Sequence, residues 1–435
     1  REAARHGGAQ RALAYNRLPN VLFVDAARVR RGFDESGRVM LGQAVAAGDS
    51  IGFEVFAPGP RRVTPEAMAS NARAIALARN LLRPALVEWI AVDSTSVRAR
   101  ELLIELLEST GHVRDAAPDG LRALDQVRIA RALRTSESDS IDLARAHVRL
   151  LLRAGEFAYA ARLADSTLAR YAGTDDADAD VLLSLAMLTG KVSRATRLLE
   201  QVSGRPGRQL QIGDGRVVDV PVSAYRARAE FLVGGTLGTC TPAVREGPAR
   251  LQAVVDAMFP SGERPRGAEG AFIERPMLLA LPCLGPESFR ALRDPAHPIA
   301  RALQAPDGGI ARAVGVLEGM QRARQGPGGP GFDPTETALI AAHVYLLHGD
   351  TTAAIDVLDR PLNALPLMPN VFLHTELLAG SLPRVIALRA ELAMLRGERE
   401  LARRWAGAVT ALWANADAEL QPTVRRLRAA LSAGP

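Results

Sequence analysis

Cysteine is almost missing. The chain has two in 435 residues, Cys240 and Cys283. No CxxC pair exists, which argues against a zinc site or a thioredoxin-type motif. The two either form one disulfide in an oxidising compartment or stay buried as thiols. Aromatics are also scarce, at 4%. That excludes a base-stacking nucleic-acid surface and most all-β sandwiches. Lysine occurs once, as Lys191, so nearly every cation is an arginine. Those arginines are interleaved with acids, as in Arg145, Arg149, Arg153 and Arg162 beside Asp142, Glu156 and Asp165. Such interleaving marks solvated helix faces, and no nucleic-acid partner is expected despite the net charge of +6. No apolar run reaches the roughly 18 residues of a membrane helix; Met277–Leu284 is short and is broken by Pro282. The chain starts at Arg1 with no signal-type region and reads as a piece of something longer.

What is present is an apolar load of 48%, carried mostly by Ala and Leu, the composition of closely packed helices. Four regions are expected: a mixed segment over 1–63, a first helical array over 64–202, an irregular Pro/Gly-rich middle over 203–334, and a second helical array over 335–435. In the first region Val21–Val24 is a short apolar run, Leu41–Ala47 looks helical and Ile51–Phe56 alternates like a strand. Thr64-Pro65-Glu66 opens the first array, with Pro at the first helical position. Within the middle, residues 208–221 predict a β-hairpin: Gln209–Ile212 and Val217–Val220 flank an Asp214-Gly215 turn. Helices are expected at Leu251–Met258 and Ile310–Arg324, and Gln325–Gly331 reads as a linker.

One spacing recurs. A helix ends at a Gly, and five residues later an Ala sits in the next helix: Gly111/Ala116, Gly155/Ala160, Gly190/Ala195, Gly349/Ala354 and Gly397/Ala402. Gly supplies the left-handed backbone that ends a helix, and Ala allows the second helix to approach the first. Neither helix of such a pair can bury its stripe alone, so pairs must stack on pairs. Gly155-Glu156-Phe157 with Ala160, and Gly349-Asp350-Thr351 with Ala354, resemble tetratricopeptide repeats. The first-helix aromatic of that pattern is replaced by Ala144 and Ala338. The expected fold is therefore mainly α: stacked antiparallel helix pairs in a tetratricopeptide-like α-solenoid, with a small β-hairpin insert and a concave groove.

The wider string of features is similar to the C-terminal repeat region of membrane-bound bacterial serine/threonine kinases of the eukaryotic-like type. It covers about residues 10–430: a helical start near Thr64 leads to Trp89 in VEWIAVDSTSVRARELL, the repeat at IDLARAHVRLLLRAGEFAYAARLADSTL and a cysteine-bearing, Pro-rich middle follow, and the chain closes with LARRWAGAVTALWANADAELQPTVRRLRAAL. The resemblance implies a kinase domain and a membrane anchor upstream. It also implies an extracytoplasmic location, with a cytoplasmic one as the alternative, and a sensory or scaffolding role. Kinase chemistry itself is missing from these residues: there is no HRD loop, no DFG and no VAIK-type lysine. Lys191 lacks the Gly that a phosphate loop needs, since Leu185 stands there.

Other motif matches are read as structural. Gly326, Gly328 and Gly331 match GxGxxG, but Pro327 and Pro330 remove backbone donors and no strand precedes them. Gly48-Asp49-Ser50-Ile51-Gly52 matches a nucleophile elbow in the wrong context, helix-like before and strand-like after. Asp176, Asp178 and Asp180 lack the Gly and Glu of a calcium loop; Asp178 or Asp180 is expected to cap a helix instead. His343 and His348 are five apart, on different helix faces, and His147 sits among core-spaced leucines. Trp405 and Trp413 are expected to pack between helices. No catalytic residue, cofactor or metal is assigned. The function expected is a non-catalytic scaffold that binds a protein or peptide. A hydrolase using Ser50 or the middle region, and a regulatory domain of a DNA-binding regulator, are the alternatives.

Overall fold

The computed structural model describes residues 30–33, 39–47, 50–56, 65–134, 136–173, 178–203, 209–211, 217–219, 222–258, 273–292, 295–325, 334–367, 373 and 376–432. Val21–Val24, the Asp214-Gly215 turn, Asp176, Gly326–Gly331 and His374 lie outside them. The chain divides into two compact units, one formed by 1–135 with 322–331, the other by 136–321 with 332–435. The division falls inside the stretch expected as the first array.

In the first unit, strands β1 (Arg30–Phe33), β2 (Val39–Ala47) and β3 (Ser50–Phe56) form an antiparallel sheet in the order β1-β2-β3. Phe33 pairs with Val39, and Ala47 pairs with Ser50. The Leu41–Ala47 run, read as helix-like, is thus part of a strand. A short apolar run carries too few periods to separate the two, and pairing with β3 decides it. Helix α1 (Pro65–Val92) packs on β2 and β3 and is followed by α2 (Val97–Ser109) and α3 (Ala123–Leu133). Ser96 caps α2 by accepting from the N–H of Ala99 at 3.2 Å. Gly111 ends the turn after α2 at φ +82°, but no helix follows at once: Ala116 is exposed and α3 starts only at Ala123. The Gly111/Ala116 copy of the repeat is therefore an accident of spacing.

The second unit is built from helix pairs. They are α4 (Glu137–Arg153) with α5 (Phe157–Arg170), and α6 (Ala179–Leu188) with α7 (Val192–Ser203). The region that was expected to be irregular is largely helical where described. Helices α8 (Val222–Leu237) and α9 (Pro242–Met258) pair there. Short helices α10 (Arg275–Leu279), α11 (Leu281–Leu284) and α12 (Pro298–Leu303) follow, then α13 (Gly309–Gln325). Among the described residues of this region, Pro242, Pro276, Pro282, Pro286 and Pro298 stand in the first turn of a helix or 3-10 turn and interrupt none. Pro242 and Pro298 open α9 and α12, where a missing N–H costs nothing, although Pro248 lies inside α9. Two short strands, β4 (Gln209–Gln211) and β5 (Val217–Asp219), pair antiparallel between α7 and α8. Two more pairs close the unit: α14 (Thr335–His348) with α15 (Thr351–Asn363), and α16 (Glu376–Leu395) with α17 (Arg399–Leu412). Helix α18 (Gln421–Ser432) packs on α17.

The turns within four of these five pairs share one set of hydrogen bonds. Gly155, Gly190, Gly349 and Gly397 all have φ between +71° and +87°. The N–H of the residue after each donates back across the helix end: Glu156 to Leu151 at 2.8 Å, Lys191 to Ala186 at 2.9 Å, Asp350 to Tyr345 at 2.9 Å and Glu398 to Ala393 at 2.9 Å. That is the bond set of a Schellman cap. The carbonyl of the same residue then accepts from the Ala that follows it: Ala160, Ala195, Ala354 or Ala402. Each of these alanines is buried. One residue thus caps the first helix and starts the second, which makes the connection short and reverses the chain.

The pairs do not stack only in sequence order. Helix α16 packs on α6, and α17 packs on α5. All of α6 except Asp180 is buried, which a helix lining an open groove would not be. The segments expected as two separate arrays are interleaved within one unit. Buried Arg389 of α16 adds a polar tie, donating to Asp359 of α15 at 2.7 Å and to Glu398 at 3.0 Å.

Candidate functional site

Among the described residues the sequence motifs assemble no catalytic centre. Ser50 opens β3 and pairs with Ala47 of β2, so the element after it is a strand, whereas a nucleophile elbow leads into a helix. Asp178 stands at the N-cap position of α6, but its carboxylate makes no capping bond. It accepts from Ser138 Oγ at 3.3 Å instead. Among the described residues no group of His, Cys, Asp or Glu is placed to hold a metal ion, and no helix is long and apolar enough to cross a membrane. His147 is buried and meets Tyr159 edge-on at 5.7 Å. Trp89, Trp405 and Trp413 are all buried.

Two surface hollows flank the contact of α5 with α17. The first, about 510 Å³, lies where Gly155–Tyr159 and Arg162 face Arg404, Gly407, Ala408 and Ala411. The small residues on α17 make the space, and a side chain at Gly407 would meet nothing within 4 Å. Around it the arginines lie on aromatic faces. Arg162 sits 5.7 Å from the Tyr159 ring and Arg404 sits 4.4 Å from the Trp405 ring. Phe157 meets Trp405 edge-on at 6.5 Å. Tyr159 is 37% exposed, unusual for an aromatic in this molecule. The second hollow, about 640 Å³, is bounded by α5, the start of α7 and Asn415–Glu419. Its wall is fixed by bonds between remote segments: Asp417 N–H donates to Gly190 O at 3.0 Å, and Asp417 Oδ2 accepts from Ser193 N–H at 2.9 Å. Lys191 donates to Asn415 O and lies 3.7 Å from Asp165.

A third space is a more enclosed cavity of about 410 Å³, walled by the ends of α8 and α11 and by α14, α16, Trp413 and α18. Cys240 and Cys283 form a disulfide close to it, with Cα atoms 5.3 Å apart. Gly238 and Pro282, beside the two cysteines, line the wall. Arg384 Nη1 donates to the carbonyls of Gly235 at 2.8 Å and Leu279 at 3.0 Å. Burial lowers the Arg384 pKa to about 10, partly offset by Glu391. His343 is pushed well below its usual value by burial, with the charge of Arg384 acting the same way, so it is neutral near pH 7. No local pattern pointed to this cavity, because its polar residues come from α14, α16, α18 and Trp413, far apart in the chain.

The described helices of the second unit define a helical-repeat protein assembled from helix pairs. No known protein family and no curated protein matches the chain. A solved structure of the P58(IPK) TPR domain aligns with 13% identity over 85% of this chain and 89% of that one, at a TM-score of 0.22. A score that low does not equate the folds, and the helix-pair assignment rests on the capped Gly turns described above.

Proposed function

We propose that the chain is a non-catalytic interaction scaffold, tetratricopeptide-like in its repeats, that binds a protein or peptide partner at the α5–α17 surface. The observation that carries this reading is the hollow over Gly407, with exposed Tyr159 and the cations Arg162 and Arg404 around it. Neither arginine is held by an ion pair among the described residues. Two positive groups against the single carboxylate of Glu156 favour an extended segment bearing acidic side chains. Aromatic and arginine side chains are the residues that anchor interfaces. The placement of this scaffold behind a membrane anchor and a serine/threonine kinase domain is the outer part of the proposal. It rests on the sequence resemblance alone.

The test is an array of acidic, neutral and basic peptides probed with the purified chain and with an Arg162→Glu/Arg404→Glu variant. Acidic peptides should bind, and the variant should lose them by at least roughly tenfold. Equal binding by both proteins would remove the surface from consideration.

A further inference from the structure

We propose that the cavity beside the disulfide binds a small monocarboxylate, its apolar body against the leucine wall and its carboxylate accepting from Arg384. The inference concerns a different site from the α5–α17 surface and stands or falls separately. Arg384 carries the argument. Its Nη1 serves backbone carbonyls, whereas no hydrogen bond uses Nε or Nη2, and no carboxylate is paired with it among the described residues. Carbonyls solvate a guanidinium but do not neutralise it. A cation kept at a cavity wall without a counter-charge is a site for an anion.

Gly238 keeps that cation reachable. A Cβ there would stand 2.6 Å from Arg384 Nε and 3.0 Å from Nη2, covering the edge that carries the unused donors. The other charges cancel: Arg426 pairs with Glu391 at 3.1 Å, and His343 is uncharged. The cavity therefore holds one net positive charge, which matches a monoanion and not a dianion. The rest of the wall includes Leu237, Leu339, Leu346 and Leu388, which suits an apolar body and excludes inorganic phosphate or a sugar. The volume of about 410 Å³ lies within the range of small-ligand pockets.

The experiment is calorimetric titration of the purified full chain with octanoate and with hydrocinnamate. Methyl hydrocinnamate and inorganic phosphate are the controls. Saturable binding of the carboxylates at one site per chain is expected, with the ester at least roughly tenfold weaker and phosphate silent. Arg384→Gln should weaken the carboxylates at least roughly tenfold. Arg384 also ties helix ends together, so the comparison of acid with ester on the wild-type chain decides the matter if Arg384→Gln does not fold. Absence of saturable binding, equal affinity for acid and ester, or unchanged affinity in a folded Arg384→Gln would each overturn the proposal.

Discussion

Replacing Gly190 with Ala should destabilise the second unit far more than the same change at Gly155. Both glycines end the first helix of a pair with nearly the same backbone, φ +71° and +77°. Forcing an L residue into that region costs about 1–2 kcal/mol, and this part is common to the two sites. The surroundings differ. A Cβ at Gly155 meets nothing within 4 Å, whereas one at Gly190 would stand 2.7 Å from Leu420 Cδ1, 2.9 Å from Ala416 Cβ and 3.0 Å from Trp413 Cδ1. Leu420 can rotate, but a Cβ on Ala416 can yield only if the backbone moves. That backbone is pinned by the bond from Asp417 N–H to Gly190 O at 3.0 Å. Overpacking adds about 1–3 kcal/mol, so Gly190→Ala is expected to cost about 2–5 kcal/mol in total. Urea unfolding followed by circular dichroism and tryptophan fluorescence measures both variants. Adding Leu420→Ala should return part of the Gly190→Ala loss and none of the Gly155→Ala loss. If the two single variants agree within about 0.5 kcal/mol, the tight packing at Gly190 carries no energy and the reasoning is wrong.

Three further outcomes are expected. Cys240→Ser/Cys283→Ser opens a loop whose ends are 43 residues apart, and loop-closure entropy makes this worth about 4 kcal/mol, readable as a lower urea midpoint that reductant reproduces in the wild type. Glu274 is buried and accepts the N–H groups of Ala296 at 2.7 Å and His297 at 2.6 Å, so Glu274→Ala should cost about 2–4 kcal/mol, while an exposed substitution such as Arg98→Ala stays near zero. Burial lowers the pKa values of His343 and His297, so near and below the unfolded value of about 6.5 the unfolded chain takes up protons that the folded chain refuses. Stability should therefore fall as pH drops from 7 towards 5, and His343→Phe should flatten that slope; a slope unchanged by the substitution would show that His343 is not the group responsible.

Much of the helix-pair pattern was legible, for a local reason. A Gly at φ above +70° and an Ala that must tuck under the preceding helix are needs of the turn itself, and neighbouring residues meet them at Gly155, Gly349 and Gly397. The same locality misled at Gly111, where the cap forms but the next helix does not, because the spacing says nothing of residues 112–122. It misled again at Leu41–Ala47, where pairing with β3 outweighs an ambiguous local pattern. Proline content made the middle look irregular, yet at the start of α9 and α12 proline obstructs nothing. The α5–α17 hollow was only half legible. Arg162 and Arg404 are visible as arginines, but not as neighbours.

Composition and the Gly–Ala turns thus determined by themselves that much of the chain forms helices joined in pairs by short capped turns. Those properties depend on contacts within a few residues. Which pair leans on which was decided only in three dimensions. Helix α6 is enclosed by α16, nearly two hundred residues later in the chain, and Arg384 pairs with no carboxylate among the described residues at a wall contributed by several helices. An apolar stripe dictates that a helix be covered without dictating by what, and a charge acquires its meaning only from the groups that fail to reach it.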